Sequence, residues 1–128
     1  MAPNRNTNIL SNYTEGKIYY FFCAQTREIY VGSTRQSLQK RISDHKTDLK
    51  GFMGELNHHR KYRSSFDVMI NGEYQTGLLE EYPCSSREEL EKRESQWIMD
   101  FFNKDYVVVN KLIPRITQPA TDLPELTF

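Results

Sequence analysis

The sequence contains few of the features that mark disulfide-stabilised, secreted or membrane-spanning proteins. Only two of its 128 residues are cysteines, Cys23 and Cys84, which is too few for a disulfide framework or a multi-cysteine zinc site. Its longest apolar run, residues 18–24, is far shorter than the about 20 residues that a transmembrane helix needs. The N-terminus has no apolar segment of a secretory signal. These absences predict an intracellular protein with two free thiols and no membrane association.

The composition is that of one folded domain. Apolar residues make up 38% of the chain, and eight tyrosines, seven phenylalanines and one tryptophan argue against disorder. We expect the domain to occupy residues 15–112. A flexible N-terminal segment is predicted at residues 1–14 and a proline-containing C-terminal tail at residues 113–128.

The charges are balanced in number but unevenly placed. The chain has 17 basic and 17 acidic residues. Residues 35–63 contain eight basic and three acidic side chains, a balance of +5, whereas residues 67–105 contain four basic and ten acidic ones, a balance of −6. A polyanion would therefore meet one basic stretch rather than a basic protein. Charge alone leaves open whether that stretch binds nucleic acid or is a solvated surface.

Hydrophobic and β-branched residues predict three strands. They cover residues 17–23, 28–32 and 75–82, and the short connection between the first two predicts an antiparallel hairpin. Residues 65–70 fit either a short strand or a helical turn, and residues 107–110 are short and extended.

Two amphipathic helices complete the predicted fold. One covers about residues 35–50, and the other begins at residue 85 or 86. The expected cap residues are Ser33 or Thr34 before the first helix, Gly51 after it, and Ser85 or Ser86 before the second. The resulting fold class is α/β (α+β), a small, mainly antiparallel three-stranded sheet flanked by helices.

A carboxylate lies on the apolar face of the second helix. Glu94 is four residues after Leu90 and three before Trp97, so it points towards the face that packs. Carboxylates are rarely buried without a partner, because desolvating their charge is unfavourable. Glu94 is therefore paired with an arginine, exposed at the edge of the interface, a metal ligand or an acid–base group.

The first helix also carries polar side chains on or beside its apolar face. Arg41 and His45 are four residues apart, and His45 lies between Ile42 and Leu49 on the apolar face. The pair is compatible with a hydrogen-bonded histidine in the core or at its border, or with a phosphate-binding arginine beside an acid–base histidine. Tyrosines on paired strands, such as Tyr19 and Tyr30, usually serve packing.

Two short motifs contain these tyrosines. Residues 17–19 are Lys-Ile-Tyr and residues 30–32 are Tyr-Val-Gly, with eleven residues from one tyrosine to the other. They resemble the signature of the GIY-YIG nuclease family, with Lys17 in place of the first glycine and valine in place of the second isoleucine. The resemblance extends over about residues 16–112, and further residues match family positions in the same order: Arg41, His45, Glu94 and Asn110. Residues 81–84 and 93–94 are similar to those of small free-standing members from phages and large DNA viruses, and this resemblance implies a virus- or phage-encoded protein that acts in the host cell.

The resemblance implies a divalent-metal-dependent DNA endonuclease with one metal ion, Mg²⁺ or Mn²⁺, bound by Glu94. It implies that Arg41 holds the scissile phosphate and that Tyr19, helped by His45, contacts or deprotonates the attacking water. It further implies that Tyr30 positions water or phosphate, that Asn110 orients Glu94 or closes the site, and that Gly32 allows close backbone packing. The implied DNA phosphate contacts are Lys46, Lys50, Arg60, Lys61 and Arg63.

Two other functions remain open from the sequence. One is a catalytically weak or inactive nucleic-acid-binding module on the same scaffold, and the other is a protein-interaction domain whose charges are surface groups. A homodimer or a targeting partner protein is a further expectation, because a single site cuts one strand at a time.

Overall fold

The computed structural model describes residues 13–55, 60–114 and 120–126. Within these ranges lie four strands and three helices, which confirms the predicted α+β fold class. Their bounds are β1 (Lys17–Phe22), β2 (Glu28–Thr34), α1 (Leu38–Phe52), α2 (Phe66–Met69), β3 (Gln75–Glu81), α3 (Arg87–Asn103) and β4 (Val107–Val108).

The sheet has four strands in the order β3-β1-β2-β4, so the prediction of three strands was wrong. β1 is antiparallel to both β2 and β3, and β4 pairs in parallel with the start of β2, Glu28 with Val107 and Ile29 with Val108. A two-residue strand leaves no alternating pattern in the sequence, and its partner lies about eighty residues away. For these reasons its pairing could not be predicted from local signals.

Successive residues of the hairpin face opposite sides of the sheet, and both sides are covered. Ile18 and Phe22 face α3, where they pack against Leu90, Trp97 and Phe101 of that helix. Tyr19, Phe21 and Cys23 face the other side, where they pack with α1 and α2. Because helices lie on both faces, groups from the two sides can meet only at an edge of the sheet.

The first helix begins later and ends later than predicted. β2 extends through Ser33 and Thr34, and the helix is capped by Ser37, whose side chain accepts a hydrogen bond from the Lys40 N–H over 3.2 Å. Gly51 is not the cap; it is a buried helical residue over which Arg60 packs, and a Cβ atom there would lie 2.2 Å from Arg60 Cγ. Its lack of a side chain therefore serves close packing.

The second predicted helix is confirmed with Ser86 as its N-cap. The Ser86 hydroxyl accepts from the Glu89 N–H over 3.2 Å. Arg93, on the same helix, is only 4% exposed. Its guanidinium group makes two hydrogen bonds to the Glu80 carboxylate on β3, at 2.7 and 2.9 Å. The Trp97 indole also donates to Glu80, over 2.9 Å, so α3 is attached to β3 by charged and neutral hydrogen bonds together.

Both ends of the described chain contact the domain. The Tyr13 carbonyl accepts hydrogen bonds from the Gly16 and Cys84 N–H groups, whereas residues 1–12 of the predicted flexible segment lie outside the described residues. In the C-terminal tail, Leu123 packs on the core and Asp122 binds Arg93 over 2.9 Å. The predicted domain boundaries remain predictions. Both cysteines are free, as predicted, and none of the helices described is long and apolar enough to cross a bilayer.

Candidate active site

The hairpin places two tyrosines on one face of the sheet. Tyr19 pairs with Gly32 and Phe21 pairs with Tyr30, so the rings of Tyr19 and Tyr30 lie side by side, 6.3 Å between centroids. The Tyr19 phenol lies directly over Gly32, where a Cβ atom would come within 2.5 Å of its hydroxyl oxygen. A glycine at this position lets the phenol reach the helix beyond the strand.

A chain of hydrogen bonds runs from α1 through Tyr19 to α2. Arg41 Nε donates to the Tyr19 hydroxyl over 3.1 Å, the hydroxyl lies 2.7 Å from His45 Nε2, and His45 Nδ1 lies 2.8 Å from Ser65 Oγ. Tyr19, His45 and Ser65 are fully buried. Buried polar groups need partners, and each member of this chain has one.

The electrostatics keep His45 neutral. Burial, with Arg41 and Arg63 nearby, lowers the pKa of His45 to about 3, and burial raises the pKa of Tyr19 although Arg41 opposes the rise. A neutral imidazole has one donor and one acceptor nitrogen. We therefore assign Nε2 as the acceptor for the Tyr19 O–H and Nδ1–H as the donor to Ser65, which gives protons a continuous path from Tyr19 to His45.

Tyr30 stands between this chain and the carboxylate on α3. Its ring is 5.7 Å from the His45 ring. Burial, with Tyr19 and Glu94 nearby, raises its pKa, so the phenol is protonated at neutral pH and can donate a hydrogen bond.

Glu94 is held by a hydroxyl rather than by an arginine. Ser33 Oγ donates to Glu94 Oε1 over 2.5 Å, and Oε2 accepts no hydrogen bond from the described residues. Burial raises the pKa of Glu94, with a contribution from Glu91, while Ser33 and Arg41 lower it. A partly desolvated carboxylate with one free oxygen is suited to binding a cation.

A single carboxylate fits the divalent metal that the resemblance implies. In the parts of the chain that the structure describes, no three His, Cys, Asp or Glu side chains converge as a metal cluster. Mg²⁺ is nevertheless commonly bound by one or two carboxylates, with waters and substrate phosphates as its other ligands. Glu94 Oε2 therefore meets the requirement from the protein side.

The open edge of β2 explains how these groups converge. Only Glu28 and Ile29 pair with β4; beyond them, the Asn110 amide bonds to Val31, accepting from its N–H over 3.0 Å and donating to its carbonyl over 2.8 Å. Past Val31 no described strand covers this edge. Ser33 on one face is half-buried beside this edge, whereas Gly32 on the other face is buried beneath the Tyr19 phenol. Asn110 bonds to β2 and not to Glu94.

A cleft of about 550 Å³ lies along this edge. One wall is α3 with Glu91, Glu94 and Ile98, and the other is the segment of residues 110–114. Tyr30 also lines it.

Lys17, which stands in place of the family's glycine, does not enter the hydrogen-bonded chain. Its ammonium group donates to the Glu15 carbonyl over 2.7 Å.

The predicted DNA-contact residues divide into two groups. Lys46, Lys50 and Lys61 are exposed and make no ion pair with the residues that are described. The other two share one carboxylate: Arg63 Nε lies 2.9 Å from Asp48 Oδ2, and Arg60 Nε lies 3.8 Å from Asp48 Oδ1. Asp48 therefore offsets part of the positive charge counted from the sequence.

Sequence reasoning missed two side chains at this site. Ser33 was predicted as a helix cap, although its alternation with Ile29 and Val31 along β2 places it on the α3 face. Ser65 had no detectable signal, because its contact with His45 depends on how α2 packs against α1.

Comparison with known families identifies the family of the chain. The family model of the GIY-YIG catalytic domain matches residues 15–106 of the chain. This range includes Tyr19, Tyr30, Arg41, His45 and Glu94. The chain belongs to the GIY-YIG nuclease family, whose members act on DNA and generally depend on a divalent metal. Searches of curated proteins and of solved structures found no match.

Proposed function

We propose that this protein is a divalent-metal-dependent DNA endonuclease that hydrolyses phosphodiester bonds at the edge of β2, with Mg²⁺ or Mn²⁺ as its cofactor. The observation that carries the proposal is the hydrogen-bonded chain Arg41–Tyr19–His45, together with the half-buried Glu94 carboxylate, which lies near enough to Arg41 for that charge to lower the pKa of Glu94. Phosphate binding, proton removal and cation binding are the three requirements of this chemistry, and Arg41, the Tyr19–His45 pair and Glu94 are the proposed group for each.

Arg41 is the proposed phosphate-binding group. Its Nε is used by Tyr19, which leaves the terminal guanidinium nitrogens for the substrate. Arginine binds phosphate oxygens through a planar set of donors and stabilises the charge that develops during attack. The contact with Tyr19 also orients the guanidinium before substrate arrives.

Tyr19 and His45 form the proposed proton path. The Tyr19 oxygen accepts a proton from the attacking water while the phenolic proton moves to His45 Nε2 over a 2.7 Å bond. The phenol is thus neutral before and after the transfer. Burial is the main cause of the low pKa of His45, and Arg41 adds to it; substrate phosphate paired with Arg41 would weaken that added repulsion and make the imidazole a better base when DNA is bound.

Glu94 is the proposed metal ligand, through Oε2, with Oε1 fixed by Ser33. A bound Mg²⁺ or Mn²⁺ would supply charge neutralisation at the phosphate and the leaving oxygen. Tyr30 would donate a hydrogen bond to water or phosphate, Gly32 would keep Tyr19 in place, and Asn110 would close the edge by bonding to Val31. Lys46, Lys50, Arg60, Lys61 and Arg63 would contact the DNA backbone.

One site cuts one strand. Breaks in both strands would require a homodimer, a targeting partner or two successive cuts. We propose that the protein acts inside a cell, where DNA and Mg²⁺ are available.

Cleavage of supercoiled plasmid tests the proposal. Wild type should nick or linearise the plasmid with Mg²⁺ or Mn²⁺ and not with EDTA, and Glu94→Gln should abolish cleavage, because the amide keeps the size and the Ser33 contact but loses the charge. Glu88→Gln, an exposed carboxylate on the first turn of α3, should cleave like wild type. Equal cleavage by Glu94→Gln, or cleavage that survives EDTA, would contradict the proposal.

A further inference from the structure

We propose that residues 110–114 form a nucleotide-binding wall of the cleft, in which Lys111 contacts a DNA phosphate next to the scissile one and Leu112 packs against the sugar or base of that nucleotide. The inference rests on the proposed function and extends it to Lys111 and Leu112, to which the proposed function gives no role.

The wall is held rigidly at its start. The Asn110 side chain makes both of its bonds, 3.0 and 2.8 Å, to the backbone of Val31, two residues from Ser33. The Val109 N–H also donates to the Ile29 carbonyl over 2.9 Å. The direction in which the chain leaves β4 is therefore set by β2, and the next residues, Lys111 and Leu112, both line the cleft that contains Glu94.

Lys111 is the one cation among the described residues that line this cleft. It is exposed and makes no ion pair with any described residue. Its ammonium group lies 5.2 Å from the centre of the Tyr62 ring, and the Tyr62 hydroxyl is bonded in turn to Asp67. A cation over an aromatic face is oriented without being neutralised, so its charge remains available to an anion.

Leu112 adds an apolar surface beside this charge. It is 84% exposed, more than any other large hydrophobic side chain described, and Ile98 and Pro114 line the same cleft. Lys111 beside this apolar rim matches a nucleotide, which presents a phosphate beside an apolar sugar and base face. Apolar side chains placed against nucleotides are common among DNA-binding proteins.

DNA binding measured without cleavage tests both residues. A labelled DNA duplex is titrated with protein in EDTA at a series of salt concentrations. Each phosphate contact contributes about 0.9 to the slope of log K against log salt, so Lys111→Ala should lower the slope by about 0.9. Leu112→Ala should leave the slope unchanged and weaken binding about tenfold at every salt concentration, as expected for the loss of one apolar contact.

Two variants on α3 and its C-cap serve as matched controls. Lys104 pairs with Asp100 over 3.0 Å away from the cleft, and Phe102 is 51% exposed. Lys104→Ala and Phe102→Ala should bind DNA with wild-type slope and affinity. All four side chains are largely exposed, and an unchanged thermal unfolding temperature will show that each variant folds.

The outcomes separate this inference from the proposed function. A wild-type protein that cleaves plasmid, combined with a Lys111→Ala slope equal to that of wild type, overturns the role of Lys111 alone. An affinity of Leu112→Ala equal to that of Phe102→Ala overturns the role of Leu112. Wild type that neither binds nor cleaves DNA overturns both the inference and the proposed function.

Discussion

Ser33 donates its hydroxyl proton to Glu94 over 2.5 Å, and this bond joins the end of β2 to the middle of α3. The two residues are 61 positions apart in the sequence. The bond fixes one carboxylate oxygen and leaves the other for a ligand. Ser33 is therefore a positioning residue for Glu94, although no sequence motif marked it.

Removing that hydroxyl should weaken metal binding. Ser33→Ala leaves Glu94 Oε1 without its donor, and groups that orient metal ligands typically contribute 10- to 100-fold, so we expect a loss of about tenfold or more in Mn²⁺ affinity. Isothermal titration with Mn²⁺ measures it. Ser33→Thr keeps the hydroxyl and should restore most of the affinity. If Ser33→Ala binds Mn²⁺ as tightly as wild type, the hydroxyl has no such role.

Neutral His45 should make stability depend on pH. Its pKa is about 3 in the folded protein and about 6.5 when unfolded, so the unfolded state binds the extra proton first as pH falls. The stability due to neutral His45 is complete above about pH 6.5 and is lost towards about pH 3, at up to about 1.4 kcal/mol per pH unit. Urea unfolding of wild type and His45→Gln across this range measures it. The difference between the two curves should shrink as pH falls; a constant difference would refute the prediction.

Arg41 should not be replaceable by lysine. Lysine has no second nitrogen with which to bind Tyr19 and phosphate together, so Arg41→Lys should lower the cleavage rate about 100-fold while DNA affinity changes little. Single-turnover cleavage and EDTA binding assays separate the two effects. Lys40→Ala removes a neighbouring cation that pairs with Asp44 on the surface, and it should cleave within about twofold of wild type. A comparable loss in both variants would indicate a general charge effect.

Gly32 should tolerate no side chain. In Gly32→Ala the new methyl group would meet the Tyr19 hydroxyl and ring, and we expect a loss of about 1–3 kcal/mol in the free energy of unfolding together with loss of cleavage. Gly77→Ala provides a control on β3, where the nearest atom is the Tyr20 hydroxyl at 3.2 Å, so its effects should be smaller. Denaturation and plasmid assays test both variants, and wild-type cleavage by Gly32→Ala would show that Tyr19 can move without consequence.

The sequence was informative where the determining interactions are local. The hairpin, the two long helices and the Ser86 cap follow from residue patterns within a few positions, and they were predicted. The order of the family motifs along the chain identified Tyr19, Arg41, His45 and Glu94 as candidate site residues from the sequence alone. Alternation and helical period set which face each side chain occupies, so the face of these residues could also be inferred.

Features that depend on distant packing could not be predicted. β4 pairs with a strand far away in the sequence, and Gly51 lies inside a helix because Arg60 packs over it. The Ser65 contact with His45 requires a four-residue helix to dock on a longer one. The burial of Arg93 likewise depends on Glu80 and Asp122, which come from β3 and the C-terminal tail.

Arg93 and Glu94 are consecutive, and successive helical residues differ by about 100° around the helix axis. The two bonds from Arg93 to Glu80, together with the Trp97 bond to the same carboxylate, therefore prevent α3 from turning about its axis. The direction in which Glu94 points is thus set from a neighbouring face of the helix, by a buried arginine that does not line the cleft. An insertion within α3 between residues 94 and 97 would therefore rotate Glu94 or Trp97 away from its partner by a quarter-turn or more.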